Sequence, residues 1–165
     1  MISPDILSLL RCESSFFYSP IHGLRHWLTV ERNAHYLAQF NNADAKVLSY
    51  FAYFHDCMRE NEWRDKGHGP RAASFAKKHR DIIPLDDVQF KQLTDACKGH
   101  TYGKRGDCIT INTCWDADRL DLGRVGITPH ADYLFNPEAK RMATENDYVD
   151  LYRFTINEWL LAIDQ

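Results

Sequence analysis

The sequence predicts an all-α fold in a single domain. Three observations predict it. Apolar residues recur at helical spacing in most segments, small polar capping residues precede those segments, and prolines fall at first helical turns rather than inside the periodic stretches. A chain of 165 residues with 44% hydrophobic and 26% charged residues matches an ordinary globular domain, which excludes a disordered tail, a collagen-like repeat and a coiled-coil rod.

Ser3-Pro4-Asp5 supplies an N-cap, a proline at the first helical position and an acid in the first turn; Ile6, Leu9 and Leu10 then form a short apolar face. Residues 14–23 read as loop, punctuated by Pro20 and Gly23. From about Leu24 to Phe40, Val30, Ala34, Leu37 and Ala38 recur at helical spacing, with His26 on the stripe of Val30. Asn41 to Asp44 ends that helix and caps the next. Ala45 to Arg59 carries Val47, Leu48, Phe51, Ala52 and Phe54 around so much of its circumference that a central helix is expected.

Glu60 to Gly69 is a charged loop, and Pro70 suits the first turn of a helix reaching about His79. Pro84 to Asp87 starts another, which carries Val88, Leu93, Ala96 and Cys97 towards His100. After a Gly- and Lys-rich loop over 101–107, Ile109 and Ile111 leave an extended stretch open, whereas Cys114 to Leu122 reads as helix. Asn136-Pro137-Glu138 marks a further cap and first turn. Val149, Tyr152, Ile156, Trp159, Leu160 and Ile163 predict a last amphipathic helix.

The 20 basic and 23 acidic residues give a net charge of −3, without the basic excess that phosphate-backbone binding favours. Five cysteines, Cys12, Cys57, Cys97, Cys108 and Cys114, are widely spaced and include no CxxC pair, so a zinc ribbon is excluded and buried reduced thiols are expected. No basic n-region precedes the short apolar stretch near Met1, and no run approaches the ~20 apolar residues of a membrane span, so a cytoplasmic setting is expected. A Walker A sequence, an HExxH motif and a nucleophile elbow are all absent. Gly67 to Ala72 superficially fits GxGxxA, but no hydrophobic strand precedes it.

Eight histidines are the unusual count. His26, His55, His68 and His100 all fall at predicted helix ends or on inward stripes, and carboxylates accompany them: Asp56 follows His55, while Asp116, Asp118 and Asp121 cluster over 115–122. On a helix Asp118 and Asp121 share a face and Asp116 points elsewhere. An ionisable His55-Asp56 pair ending an apolar helix would be costly to bury without a partner or metal. His22 stands four residues before His26, but Pro20 and Gly23 set it ahead of the helix, beside the ligands or the substrate. His35, His79 and His130 are given no catalytic role.

His26, His55-Asp56 and Asp118 within Ala117-Asp118-Arg119-Leu120 resemble the H…HD…D signature of the HD-domain metal-dependent phosphohydrolases, over roughly residues 22–122. The resemblance implies a single HD domain of about seven helices, with C-terminal helices over 137–164 packing on the core. It also implies that these four residues bind a primary metal, with His68 and His100 completing a second site. Mixed imidazole and carboxylate ligands suit one or two divalent ions (Mn, Fe, Ni, Co or Zn, with Mg also open), and the two oxygens of Asp56 could bridge a pair. His55, Asp56 and Asp118 are then the catalytic centre, and His22 and Asp121 support it. The implied partner is a small phosphorylated substrate, with no strong nucleic-acid signal and no membrane; an oligomer stays open.

Positive charge concentrates after the HD pair at Arg59, Arg64, Lys66 and Arg71, with Lys104, Arg119 and Arg124 adding to it; Arg59, Arg64, Arg71, Lys104 and Arg119 are the candidate substrate contacts, since arginine forks match phosphate geometry. The HDxxED pattern of alarmone hydrolases is replaced by Cys57-Met58-Arg59-Glu60, and the long extension of the cyclic-diguanylate enzymes is missing after His100. The chain is also short for the large deoxynucleotide triphosphohydrolases. The expected activity is therefore hydrolysis of a small phosphoester, a nucleotide or related metabolite. Two rivals share the ligands: a metal-stabilised module that binds a nucleotide or protein through Trp63, Tyr102 and Tyr133, and a di-iron oxygenase.

Overall fold

The computed structural model describes residues 2–154, and every regular element among them is helical. Eight α-helices follow in order: α1 (Pro4–Glu13), α2 (Leu24–Ala38), α3 (Ala45–Phe54), α4 (His68–Lys78), α5 (Asp87–Gly99), α6 (Ile109–Arg119), α7 (Pro137–Glu145) and α8 (Val149–Arg153). The cap residues act as the sequence predicts. Ser3 accepts from the Ile6 amide, Asp44 accepts from Lys46 and Val47, and Asp86 closes a reciprocal capping box with Gln89.

α3 is the central helix: Val47, Leu48, Phe51, Ala52, Tyr53 and Phe54 are all fully buried. Each large apolar side chain there contributes about 1.5–3 kcal/mol by leaving water. α2 packs on α3 and α6, α5 packs on α3, α4 and α6, and the four surround the buried end of α3. A smaller cluster of Tyr36, Leu37, Leu134, Ala139, Met142 and Leu151 joins α7 and α8 to the outer face of α2.

Several boundaries differ from the sequence reading. α3 stops at Phe54 instead of running to Arg59, because the His55 side chain takes the Ala52 carbonyl that a continuing helix would offer to the Asp56 amide. α4 starts at His68, two residues before Pro70. Ile109 and Ile111 are helical, since Ile111 buries its side chain in the core and packing overrides β-propensity. Asn136 precedes α7 but does not cap it with its side chain, which instead meets Asp116 and Asn41. The last amphipathic segment is helical over Val149–Arg153; Ile156, Trp159, Leu160 and Ile163 lie outside the described residues.

One close approach requires glycine. A Cβ on Gly69 would overlap the Cys97 carbonyl oxygen and crowd the His100 ring, so the start of α4 can lie against the end of α5 only without a side chain there. This contact brings His68 and His100 together.

All five cysteines are free thiols. Burial pushes the pKa values of Cys57, Cys97 and Cys114 up, so these three act as protonated packing groups. No helix among the described residues is long and apolar enough to cross a membrane.

Candidate metal centre

The buried end of α3 turns His55 and Asp56 inward, and four other helix ends or starts bring His26, His68, His100 and Asp118 to the same place. Two sets of side chains result, each with its possible ligand atoms within 4.8 Å of one another: His26, His55 and Asp118, and beside them Asp56, His68 and His100. Five of these six residues are buried and Asp118 is half-buried.

All four imidazoles are held the same way. His55 Nδ1 donates to the carbonyls of Phe51 (3.2 Å) and Ala52 (2.9 Å), and His100 Nδ1 donates to the Cys97 carbonyl (2.7 Å). His68 Nδ1 donates to the Asp65 carbonyl, and His26 Nδ1 meets Asp121 Oδ2 at 2.7 Å. Carbonyl and carboxylate oxygens only accept, so each Nδ1 carries the proton and each Nε2 lone pair faces inward. This is the outer-shell arrangement that orients metal-binding histidines.

The Nε2 atoms then meet in pairs: His26 with His55 at 3.0 Å, and His68 with His100 at 2.8 Å. Two neutral imidazoles would face lone pair to lone pair at that separation. Each pair therefore requires a positive charge between its nitrogens, either a proton or a metal ion.

Carboxylates complete the demand. Asp118 Oδ1 lies 3.3 Å from His26 Nε2 and 3.8 Å from His55 Nε2. Asp56 faces both sets. Its Oδ2 is 3.8 Å from His26 Nε2 and from His55 Nε2, while its Oδ1 is 3.2 Å from His68 Nε2 and 3.6 Å from His100 Nε2.

The electrostatics agree. Burial opposes protonation of His26, yet hydrogen bonds to Asp118 and Asp121 hold its pKa above the usual histidine value; His100 behaves likewise through Asp56. Burial pushes the partner His55 down to about 3 and lowers His68. Within each pair the surroundings favour protonation of one imidazole and oppose it on the other. Burial would raise the pKa values of Asp56 and Asp118, but the surrounding imidazoles outweigh it and hold both low, so both carboxylates stay anionic. The donor set fits one or two divalent transition ions.

A cavity of about 960 Å³ opens above these residues, with Asp56, His68, His100 and Asp118 at its floor. The candidate substrate contacts divide. Arg59, Lys104 and Arg119 line the cavity. Arg59 is largely engaged with the protein, however, through Asp56 (3.3 Å) and the carbonyls of Asn61 and Trp63. Arg119 donates to Gly103 (2.6 Å) and Tyr133 (2.7 Å), so it ties two cavity loops together instead of presenting a free fork.

Arg64 and Arg71 lie outside the cavity lining, which corrects the sequence expectation. Arg64 is a solvent-exposed side chain, and Arg71 is committed to the Met58 carbonyl and Asp65.

Of the supporting residues, Asp121 orients His26, and His22 lines the cavity with its Nδ1 2.5 Å from Glu62 Oε2. Ser19 donates to the other oxygen of Glu62 at 2.6 Å and accepts from the His22 amide at 2.9 Å. Asp116, as predicted, points elsewhere and accepts from the amides of Phe135 and Asn136.

Motif reading does not pick out Glu62, Thr101 or His130. Thr101 Oγ1 lies 3.1 Å from His68 Nε2, and His130 stands exposed on the cavity rim. Only the proximity of Glu62 to the HD pair could have drawn attention to it. Trp63, Tyr102 and Tyr133 are exposed at 86%, 62% and 73%, and all three border the cavity.

No protein-family model and no curated protein matches the chain. A crystal structure described as a predicted HD superfamily hydrolase from an uncultured Thermotogales bacterium does match, at a TM-score of 0.68 and 23% identity, over 90% of this chain and 86% of that one. The chain has the HD-domain fold.

Proposed function

We propose that the chain is a metal-dependent phosphohydrolase that cleaves a small phosphoester, a nucleotide or related phosphorylated metabolite, with water as nucleophile. The observation that carries this reading is the convergence of four inward Nε2 atoms and two anionic carboxylates at the floor of a cavity, in pairs that require a cation. Divalent ions held there supply Lewis acidity, which polarises a phosphoryl oxygen and acidifies water.

The chain's own residues do the rest. His26, His55 and Asp118 would hold one ion and His68 and His100 the other, with Asp56 within reach of both sets. Lys104 and Arg59 place positive charge along the cavity wall, where a phosphate would meet it. His22, tethered through Nδ1 to Glu62, presents Nε2 as a hydrogen-bonding and proton-accepting group beside the floor. Asp56, His68 and His100 at the floor are buried, which strengthens their charge interactions.

A matrix of metals (Mn, Fe, Ni, Co, Mg) against phosphomonoesters and linear and cyclic nucleotides tests the reading. Turnover that requires metal and is lost in Asp56→Ala is the expected result; turnover that survives Asp56→Ala overturns it. The exposed Trp63, Tyr102 and Tyr133 favour a second reading, a metal-stabilised binding module. Saturable nucleotide binding by metal-loaded protein with no turnover across the panel would select that one. Iron loading accompanied by O₂ consumption would instead select the oxygenase.

A further inference from the structure

The set of Asp56, His68 and His100 depends on a loop. His68 opens α4 and is connected to the end of α3 by residues 55–67, with no helix behind it to set its direction. Its Nδ1 donates to the Asp65 carbonyl, so the orientation of that peptide decides where Nε2 points.

The Asp65 side chain fixes the same peptide. Oδ2 accepts from the Glu60 amide at 2.8 Å, Oδ1 accepts from the Gly67 amide at 3.2 Å, and the Arg71 guanidinium pairs with Oδ2. Arg71, one turn into α4, also donates through Nε to the Met58 carbonyl at 2.9 Å. The pair therefore fastens both ends of the loop to the helix that carries His68. The Asp65 side chain is 4% exposed, so losing its cationic partner would leave a nearly buried charge and release the loop. The rings of the other set take their direction elsewhere: His55 from its own helix and His26 from Asp121.

We propose that the Asp65–Arg71 pair is the positioning device for the second ion, and that it determines whether the chain holds two ions or one. This rests on the two-ion reading above. Neither residue touches substrate or metal. Both act through the direction of His68.

The test is titration of metal-free protein with Mn²⁺, read by calorimetry for stoichiometry and by electron paramagnetic resonance for coupling between neighbouring ions. Wild type is expected to take two ions and show the coupled spectrum. Asp65→Ala and Arg71→Ala are expected to keep the first ion at wild-type affinity, to bind the second about 10–100-fold more weakly, and to lose the coupled spectrum. Arg71→Lys, which keeps the charge beside Asp65, is expected to recover part of the second affinity. Asp65→Asn, nearly isosteric, covers the case in which the alanine variants do not fold.

Two ions at unchanged affinity in the folded variants overturn this proposal alone. Equal weakening of both ions also overturns it, since the pair would then support the whole fold. A wild-type chain that takes fewer than two ions overturns the two-ion reading and this proposal with it.

Discussion

His26 Nε2 faces His55 Nε2 at 3.0 Å while both Nδ1 atoms are already engaged, so the gap between the rings admits only a cation. In the absence of metal a proton would fill that gap: burial opposes it on His26, but the hydrogen bonds to Asp118 and Asp121 raise the ring's pKa. Metal binding must displace this proton. Below the raised pKa the apparent affinity should therefore climb with pH, about tenfold per unit for each proton released, and level off above it. Mn²⁺ titrations at several pH values, in buffers of different ionisation enthalpy, check both the slope and the proton count. A pH-independent affinity would show that no proton occupies the gap.

Removing a floor carboxylate should differ from removing a cavity cation. Asp56→Ala should lower turnover by about 10²–10³-fold or more and weaken both ions, because its two oxygens face different sets. Lys104→Ala should raise KM with a smaller effect on kcat, since Lys104 lines the cavity and belongs to neither of the two sets. Steady-state kinetics at saturating metal separate the two cases.

The Glu62–His22 pair gives a third test. His22→Asn and Glu62→Gln should each reduce kcat, by about 10²-fold if Nε2 handles a proton in the rate-limiting step, while metal content stays at the wild-type value. Equal kcat in wild type and both variants would restrict the pair to holding the turn at Ser19 to His22.

Gly69→Ala should be disproportionately damaging for so small a change. The added methyl overlaps the Cys97 carbonyl, the same oxygen that orients His100. A loss of about 1–3 kcal/mol in stability is expected from the overpacking. Thermal unfolding measures it, and metal content should show the His68 and His100 set affected first.

Arg119→Ala should free the Gly103 and Tyr133 carbonyls, and with them the loops on two sides of the cavity. Faster amide hydrogen exchange around residues 101–107 and 130–135, with the α3 core unchanged, is the expected result.

The residues of the candidate centre were legible in the sequence because order and helix context carried the information: His26 on an inward stripe, His55-Asp56 at the end of an apolar helix, Asp118 at the end of another. The cations were not. Arg59, Arg71 and Arg119 are equally basic on paper, and only tertiary structure shows that one leans on Asp56, one clamps Asp65 and one ties two loops. The same limit hid Glu62, whose partner lies 40 residues away in sequence. It also misplaced the end of α3, where a side chain competes with the backbone for a carbonyl. Periodicity reports which face is buried but not which polar group a long side chain will find there.

Asp56 turns one oxygen to His26 and His55 and the other to His68 and His100. A carboxylate shared in this way makes the two sets energetically dependent. Were each set to hold an ion, the first would draw electron density and rotational freedom out of the group that the other set also needs. By reciprocity, whatever the first ion does to the affinity of the second, the second does to the first. Metal supply would then act on this chain less as two separate fillings than as one graded switch, with the aspartate at its pivot.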